Sequence, residues 1–426
     1  MHKAIIPLLY VLIFSVSNLF AGNGSKPHYN DKDINHIVSQ LTLEQKARLL
    51  VGCPGSDKGV SHIVAGSAGY TFPIDSLGIP SINLADGPVG VRITPVLPNK
   101  PYTSYCTCFP STTALAATWN KDIARLEGNA IGDEALAYGV DIVLTPGINI
   151  MRNPLCGRNF EYFSEDPYLS GIMGAAMING IQDKGIGASL KHFIANNQQT
   201  GKLYNDARIS QRAIREIYLK GFEICIKNSD PWTVMGSYNK IGGQYTQANP
   251  ELLRTILRNE WNYNGLIVTD WYKKRDTADQ LNGGTDLMMP GEQSQVDEII
   301  AGVKNGRISE TTLNESVKYV LKLISKSISN KGWEYNEAPD LAANAALARR
   351  IATEGMVLLK NDRSFLPISQ GAKIALFGAT AYKSIAGGTG SSNVNKAHIT
   401  DISTGLEKGG YTLSNRLKGL YTKFVE

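Results

Sequence analysis

Cysteine is scarce in this chain of 426 residues, and no cysteine has the spacing of a metal site. The five thiols leave at least one without a disulfide partner, and a chain of this length buries enough apolar surface to fold without disulfides. Cys106 and Cys108 are separated by a single residue, with no histidine pair nearby, so the spacing of a zinc site is missing. We therefore expect no bound metal and only small buried or incidental cysteines.

Blocks of like charge are also missing. Only 19% of the residues are charged, the formal net charge is +5, and the lysines and arginines are scattered along the chain. Nucleic acid and an anionic membrane surface are therefore poor candidates for a partner. The apolar content of 42% is typical of a folded globular protein. A phosphate-binding P-loop is missing too, because the segment GGTGSS (387–392) lacks the Gly-Lys-Ser/Thr ending.

The apolar run near the N-terminus is too short to span a bilayer comfortably. This run, AIIPLLYVLIFSV (4–16), follows Met1-His2-Lys3, and small residues come after it, with Ala21-Gly22 as a plausible cleavage point. The pattern indicates a secretory signal peptide over residues 1–21, with an uncleaved anchor as the alternative. We expect an exported protein, periplasmic or secreted, that leaves the membrane after cleavage.

Short apolar runs alternate with longer amphipathic segments over much of the chain. The runs are SINLAD (81–86), DIVLTPG (141–147), IGASLKHF (186–193), WTVMGSYN (232–239), GLIVTDW (265–271) and TDLMMPG (285–291), with TALAATWN (113–120) as a less certain member. Near-continuous apolar strands separated by helices indicate a parallel sheet that is buried on both faces. Their number favours an α/β fold of the (β/α)8 TIM-like barrel type, with GLIVTDW as its sixth strand. A doubly wound sheet is the alternative, but no Gly-rich turn follows the first strand.

Several helices can be predicted from their capping residues. Two short helices are predicted within DKDINHIVSQLTLEQKARLLVG (31–52), where Thr42 and Gln45 have the spacing of a capping box. Longer helices are predicted over 209–228 and over 249–262. In the second of these, an asparagine precedes a proline at the first helical position, which is a favourable helix start.

The pattern changes after about residue 325, where a polar and aperiodic stretch begins. We predict a barrel domain over 22–328, a linker over 329–341, and a partial C-terminal α/β sandwich domain over 342–426. The last region predicts a helix that leads into a strand (MVLLKND, 356–362) and a further strand at KIALFGATA (373–381). One or two strands cannot form a stable sheet alone, so we interpret this region as the beginning of an incomplete domain.

Polar side chains follow the predicted strands at the points where the strands end. In a barrel, these ends face one mouth, and catalytic groups collect there. The strand ends supply Asp86, Lys191, His192, Met235, Tyr238, Asp270 and Trp271, and the segment 149–167 adds Arg152, Arg158 and Glu161. Carboxylates, cations and an aromatic surface together suit a polyhydroxylated substrate. Structural roles stay open at this point, because Asp270 could cap a helix and Arg158 could form a structural ion pair with Glu161.

Six segments, found in one order, together resemble glycoside hydrolase family 3 of the β-glucosidase type. They are LADGPVGVR (84–92), FPSTTALAATWN (109–120), NIMRNPLCGRNFEYFSEDP (149–167), ASLKHFIANNQ (188–198), VMGSYNKIGG (234–243) and GLIVTDW. The resemblance extends from about residue 38 to the end of the sequence. It implies a retaining β-glycosidase without metal or cofactor, which hydrolyses terminal non-reducing β-D-glucosyl residues of β-linked glucosides or oligosaccharides.

The resemblance also implies a role for each site residue. Asp270 matches the nucleophile that forms a covalent glycosyl-enzyme, and Trp271 resembles its aromatic neighbour on the aglycone side. Asp86 matches the carboxylate that binds the distal hydroxyls of the terminal sugar. The remaining sugar-binding residues that the resemblance implies are Arg92, Arg152, Lys191, His192, Met235 and Tyr238. Arg158 and Glu161 resemble groups that hold Lys191 and its loop in place.

No residue of the chain matches the acid/base of the family. In this type of member, the acid/base glutamate comes from the second domain, downstream of residue 426. A branch of β-N-acetylglucosaminidases carries a His-Asp pair on a barrel loop, but KHFIANNQQTGKLYNDAR (191–208) does not match its signature. Glu161 and Glu165 are formal candidates for the acid. We therefore expect impaired hydrolysis by this chain, with a non-catalytic sugar-binding relic of the same family as the alternative.

Overall fold

The computed structural model describes residues 34–55, 64–94, 103–271 and 275–425. The predicted signal peptide and its cleavage point lie outside these ranges. No helix within the ranges combines the length and the apolar character that crossing a bilayer would require.

The described residues form short strands in three sheets. The strands are β1 (Cys53–Pro54), β2 (Gly69–Tyr70), β3 (Asn83–Asp86), β4 (Ile142–Leu144), β5 (Gly187–Phe193), β6 (Asp206–Ala207), β7 (Thr233–Gly236), β8 (Lys240–Ile241), β9 (Gln244–Tyr245), β10 (Leu266–Val268), β11 (Lys373–Ile374) and β12 (Thr412–Leu413).

The main sheet closes into a TIM-like barrel. Its strand order is β1-β2-β3-β4-β5-β7-β10, and β3, β4, β5, β7 and β10 run parallel. Strand β2 is reversed, because it pairs antiparallel with both β1 and β3. Leu287 bridges Val268 of β10, and Met288 bridges Val51 just before β1. The segment around Leu287 therefore forms an eighth strand position that joins the two ends of the sheet, and closure removes the free edges.

The apolar runs predict most of this barrel correctly. Five of the runs contain β3, β4, β5, β7 and β10, and TDLMMPG supplies the eighth position. The run at 113–120 was wrongly predicted as a strand, since it forms the helix Thr112–Ala117. Alanine favours helices, and the Ser111 hydroxyl caps this one by accepting from the Ala114 N–H. Because β1 and β2 precede β3, GLIVTDW is the seventh barrel position and not the sixth.

Helices surround the barrel. They are α1 (Ile34–Gln40), α2 (Leu43–Leu49), α3 (Thr112–Ala117), α4 (Lys121–Tyr138), α5 (Pro167–Asp183), α6 (Gln211–Ala213), α7 (Lys220–Ser229), α8 (Thr277–Gly283), α9 (Gln293–Lys304), α10 (Glu310–Lys326), α11 (Leu341–Glu354), α12 (Ile402–Lys408) and α13 (Asn415–Val425). The capping box of α2 is confirmed. The helix predicted over 209–228 is confirmed as α6 and α7, joined by a π-helical segment, Ile214–Tyr218. The one predicted over 249–262 is the π-helical segment Glu251–Glu260, with the Asn249 side chain as its cap.

The core lies on both faces of the barrel sheet. Leu84 and Ile142 belong to one buried apolar cluster, whereas their chain neighbours Ala85 and Val143 belong to another. This alternation follows from the two-residue period of a strand. Both faces are therefore largely apolar, as the near-continuous runs predict, and the charged side chains of the barrel strands lie at or near their C-terminal ends.

The C-terminal region begins with α11, which packs against α3 and α4. The strand predicted at MVLLKND was wrong, because residues 356–359 form no strand and their side chains are 63–91% exposed. A strand needs a hydrogen-bonded neighbour, and no described segment pairs with this one. The strand predicted over 373–381 is reduced to β11, which pairs with β12 alone.

Candidate active site

A cavity of about 650 Å³ lies at the C-terminal ends of the barrel strands. Strand ends and the residues just after them contribute Asp86, Leu144, Lys191, His192, Met235, Tyr238, Asp270 and Trp271 to its wall. The loops add Arg92, Arg158, Phe160, Gln199 and Lys202, and the Gly-rich segment 388–391 of the C-terminal region forms a further part of the wall. The parallel strand ends and the C-terminal region thus enclose one site.

Two of the residues predicted from the sequence do not line this cavity. Arg152 is exposed, and its Nη1 donates to the Tyr218 hydroxyl over 2.9 Å. Glu161 is completely buried behind the cavity wall. The other predicted residues share the cavity, and Arg158 also lines it instead of acting only from behind.

Asp270 is the buried carboxylate of the cavity, with 7% exposure. Its Oδ1 accepts the backbone N–H of Trp271 over 2.8 Å, and the Tyr238 hydroxyl also donates to the carboxylate. Its Oδ2 is buried and has no hydrogen-bond partner among the described residues. A buried carboxylate oxygen normally has a partner, so Oδ2 is the atom that a ligand in the cavity can reach.

Opposing effects set the ionisation of Asp270. Burial raises the pKa of its carboxyl group, whereas the charge of Arg158, the Trp271 N–H, the Tyr238 hydroxyl and the charge of Lys191 lower it. The balance leaves the pKa above its ordinary value. The ionised form of Asp270 therefore depends on these four groups.

Glu161 holds two cations at the back of the site. The Arg158 Nε donates to Glu161 Oε1, and the Lys191 Nζ lies 3.6 Å from Oε2. Burial opposes the ionised form, but the charges of Arg158 and Lys191 outweigh it and hold the pKa of Glu161 below its ordinary value. Glu161 is therefore a counter-ion and is unsuited to donate a proton. Glu165, the other formal candidate for the acid, is exposed and does not line the cavity.

His192 is neutral. Burial lowers its pKa well below the ordinary value, and the charges of Arg158, Lys191 and Lys202 lower it further. The Arg158 Nη2 lies 2.8 Å from His192 Nε2, and a guanidinium can only donate, so Nε2 accepts. The ring proton is therefore on Nδ1, which lies 3.3 Å from the Tyr162 hydroxyl. Although Nε2 lies 3.7 Å from Asp270 Oδ2, the two atoms form no ion pair, because both are acceptors.

Further contacts fix the walls of the cavity. Arg92 and Asp86 form an ion pair at the end of β3, with 3.3 Å between Arg92 Nη1 and Asp86 Oδ2. The Trp271 Nε1 donates to the carbonyl of Ala68 over 2.9 Å, which holds the indole ring in the wall. Among the described residues, no cluster of three or more His, Cys, Asp or Glu side chains could hold a metal ion.

Lys202, Gln199 and Phe160 line the cavity but were not predicted from the sequence. Gln199 and Lys202 lie on loops, and Phe160 lies in a short 3-10 helix, Asn159–Glu161. None of them is at a strand end, so the periodicity that places Asp270 gives no signal for them. The segment 191–208, which the sequence comparison with the β-N-acetylglucosaminidase branch singled out, contains both Lys202 and Gln199.

The closed barrel and the strand-end cavity define a TIM-barrel protein with a polar site in which a buried carboxylate lies among cations. The model of the "Glycosyl hydrolase family 3 N terminal domain" matches residues 101–323, and the chain belongs to this family.

Two curated relatives illustrate the similarity. The chain is 42% identical over 386 residues to the thermostable beta-glucosidase B of Acetivibrio thermocellus, covering 89% of this chain and 49% of the relative. It is 37% identical over 390 residues to an exo-alpha-(1->6)-L-arabinopyranosidase of Bifidobacterium longum, covering 88% and 49%. The chain therefore spans about half the length of these relatives.

Solved structures also match. Beta-glucosidase 3B from Thermotoga neapolitana, in complex with glucose, superposes with a TM-score of 0.89 at 43% identity and covers 92% of this chain and 56% of that one. A Bifidobacterium adolescentis GH3 beta-glucosidase has a TM-score of 0.78 at 35% identity, with coverage of 91% and 56%.

Proposed function

We propose that the protein is a retaining β-glycosidase of the β-glucosidase type, which acts on terminal non-reducing β-D-glucosyl residues with Asp270 as the nucleophile. The observation that carries this proposal is the buried Oδ2 of Asp270, which lacks a hydrogen-bond partner among the described residues and belongs to a cavity-lining carboxylate. The names of the relatives support the same reaction class.

The geometry around Asp270 suits a nucleophile. Trp271 and Tyr238 hold the carboxylate through hydrogen bonds, so Oδ2 can attack the anomeric carbon. A bond forms between Oδ2 and that carbon, and the bond to the aglycone oxygen breaks. The aglycone leaves as an anion when it is an activated phenol, and otherwise its oxygen takes a proton from water. Water then hydrolyses the glycosyl ester, which regenerates the carboxylate of Asp270.

The other polar groups of the cavity suit the hydroxyls of a sugar. The Asp86 carboxylate can accept from hydroxyls distant from the reacting carbon, and Arg92 fixes its orientation. Lys191 can donate to a hydroxyl while it stays paired with Glu161. One relative is named an arabinopyranosidase, so membership of the family does not by itself specify the sugar. Glucose is therefore part of the proposal.

A sugar-binding protein without turnover is the second candidate. It is favoured by the state of the other two carboxylates, since Asp86 is paired with Arg92 and Glu161 is paired with Arg158 and Lys191. Neither of them is set up as a proton donor. An activated aryl glucoside needs little protonation of its leaving group, so it can test the nucleophile independently of the acid.

The experiment is incubation with 2,4-dinitrophenyl 2-deoxy-2-fluoro-β-D-glucoside, followed by mass spectrometry of the intact protein and of its peptides. We expect one fluoroglucosyl group on Asp270, none on Asp270→Asn, and wild-type labelling of Glu165→Gln, whose side chain is exposed outside the cavity. No mass gain on the wild type, or an equal gain on Asp270→Asn, would refute the nucleophile. Glucose binding by calorimetry in the absence of labelling would support the second candidate.

We also propose that the protein is exported to the periplasm or secreted, on the basis of the pattern over residues 1–21. Expression in a bacterial host with N-terminal sequencing of the periplasmic fraction tests this, and a cytoplasmic product that retains Met1 would contradict it.

A further inference from the structure

Lys202 lies on a turn that follows β5 and is anchored to the barrel. The Tyr204 N–H donates to the carbonyl of Gly201 over 2.8 Å, which closes the turn. The Arg275 Nη2 donates to the carbonyl of Leu203 over 2.7 Å, and the chain then enters β6, which pairs with β8. The location of Lys202 is therefore fixed by contacts on both sides of it.

The Lys202 ammonium group stacks on a residue that holds the nucleophile. Its Nζ lies 4.8 Å from the centroid of the Tyr238 ring, within the range of a cation–π interaction. The hydroxyl of the same tyrosine donates to Asp270, and all three side chains line the cavity. Lys202 therefore contacts the nucleophile through Tyr238.

Among the basic groups near the proposed nucleophile, Lys202 differs from its neighbours in its pairing. Arg158 and Lys191 are both paired with Glu161, and His192 is neutral. Lys202 forms no ion pair within 4 Å among the described residues. The other charged and titratable groups of the cavity wall are Arg158 of the segment 149–167, Lys191 and His192 of β5, Lys202 of the following turn, Tyr238 after β7, and Asp86 and Arg92 across the cavity. Tyr162 and Glu161 lie behind this wall and also interact electrostatically with Asp270 and Lys202, respectively.

We infer that Lys202 is a positioning residue for the nucleophile: it holds the Tyr238 ring through its ammonium group, and its charge favours the ionised form of Asp270. This inference rests on the proposed role of Asp270. The electrostatic interaction between the two groups is also seen from Lys202. Burial and the charge of Arg158 lower the pKa of Lys202, whereas the charge of Asp270 raises it. By linkage, the charge of Lys202 favours the ionised form of Asp270 in turn.

The test is the pH dependence of the second-order rate constant for labelling by the fluoroglucoside, whose acidic limb reports ionisation of the nucleophile in the free protein. We expect Lys202→Met to move the midpoint of that limb to higher pH by roughly 0.5 to 1 unit, and Lys202→Arg to restore it. The matched control is Lys240→Met. Lys240 stacks on the Tyr245 ring at 4.7 Å but does not line the cavity, so this variant should keep the wild-type midpoint.

A second measurement does not depend on labelling. In protein carrying [4-¹³C]aspartate, the carboxyl resonance that disappears in Asp270→Asn can be titrated in the wild type and in Lys202→Met. A higher titration midpoint in Lys202→Met supports the inference even if no variant is labelled, in which case the proposed nucleophile alone fails. Equal midpoints in the two proteins overturn the inference, whatever the labelling result. Lys202→Gln replaces the methionine variant if that variant does not fold.

Discussion

Glu127 gives the sharpest stability prediction of the structure. It lies on α4, is completely buried, and neither of its carboxyl oxygens has a hydrogen-bond partner among the described residues. Its position is set by close packing of α4 against α5, where a Cβ on Gly128 would lie 2.3 Å from the carbonyl oxygen of Met177. The rotation of α4 is therefore fixed, and Glu127 cannot turn towards solvent. Burial raises the pKa of its carboxyl group from 4.5 to about 8.

The shift determines both the sign and the size of the effect. Below about pH 4.5, Glu127 is protonated in the folded and unfolded states, so its ionisation makes no contribution to the free energy of unfolding. Between pH 4.5 and about 8, the unfolded state ionises while the folded state stays protonated, and stability falls by about 1.4 kcal/mol per pH unit. The accumulated loss is about 3 kcal/mol at pH 7 and about 5 kcal/mol above pH 8.

We therefore expect Glu127→Gln to stabilise the protein increasingly as the pH rises. The amide cannot ionise, so the variant should match the wild type near pH 4.5 and exceed its free energy of unfolding by several kcal/mol at pH 8.5. Urea denaturation at half-unit intervals from pH 4.5 to 9 measures the difference. The control is Asp133→Asn on the same helix, since its carboxylate is exposed and only pairs with Lys184 at the surface. A difference for Glu127→Gln that does not change with pH would refute the reasoning.

Two further predictions concern the candidate site. Glu161→Gln leaves Arg158 and Lys191 without their buried counter-ion, so we expect a loss of about 3 to 5 kcal/mol in the free energy of unfolding, measured by urea denaturation. A variant as stable as the wild type would contradict the counter-ion role. Arg152→Ala should bind glucose and accept the fluoroglucosyl label as the wild type does, because Arg152 lies outside the cavity; a tenfold slower labelling rate would instead support the sugar-binding role implied by the resemblance.

Much of the barrel could be predicted from the sequence because its strands are buried on both faces. An apolar run such as GLIVTDW, which ends abruptly in an aspartate, identifies both the strand and the cavity residue. Strands β1 and β2 span only two residues each, which is too short for periodicity to be recognised. The run at 113–120 misled because its alanines satisfy the apolar pattern of a strand while favouring a helix.

The site was less predictable where loops form it. Lys202 and Arg152 both lie on polar loops. The sequence of neither loop distinguishes a residue that lines the cavity from one on the surface. Lys202 reaches the cavity because its turn is anchored by Arg275 and by β6, whereas Arg152 points away and donates to Tyr218. Both outcomes depend on contacts between residues that are distant along the chain.

A comparison of three buried carboxylates, Asp286, Glu127 and Asp270, shows that burial alone does not make a carboxylate suitable as a nucleophile. Asp286 is buried next to β10, and its oxygens are occupied by Arg258, the Ile267 N–H and Ser316, so it has only a structural role. Glu127 has unpartnered oxygens but no charged partner within hydrogen-bond distance, and burial keeps it protonated up to about pH 8.

Asp270 combines the two features that Glu127 and Asp286 have separately. One of its oxygens is available, as in Glu127, and cations favour its ionised form, as Arg258 does for Asp286. Glu161 also has an unpartnered oxygen and neighbouring cations, but it does not line the cavity. Asp270 does line it, so a substrate in the cavity can reach Asp270. Because these cations come from other elements of the barrel, the proposed nucleophile depends on the assembled barrel mouth, and the strand that carries Asp270 determines only its location.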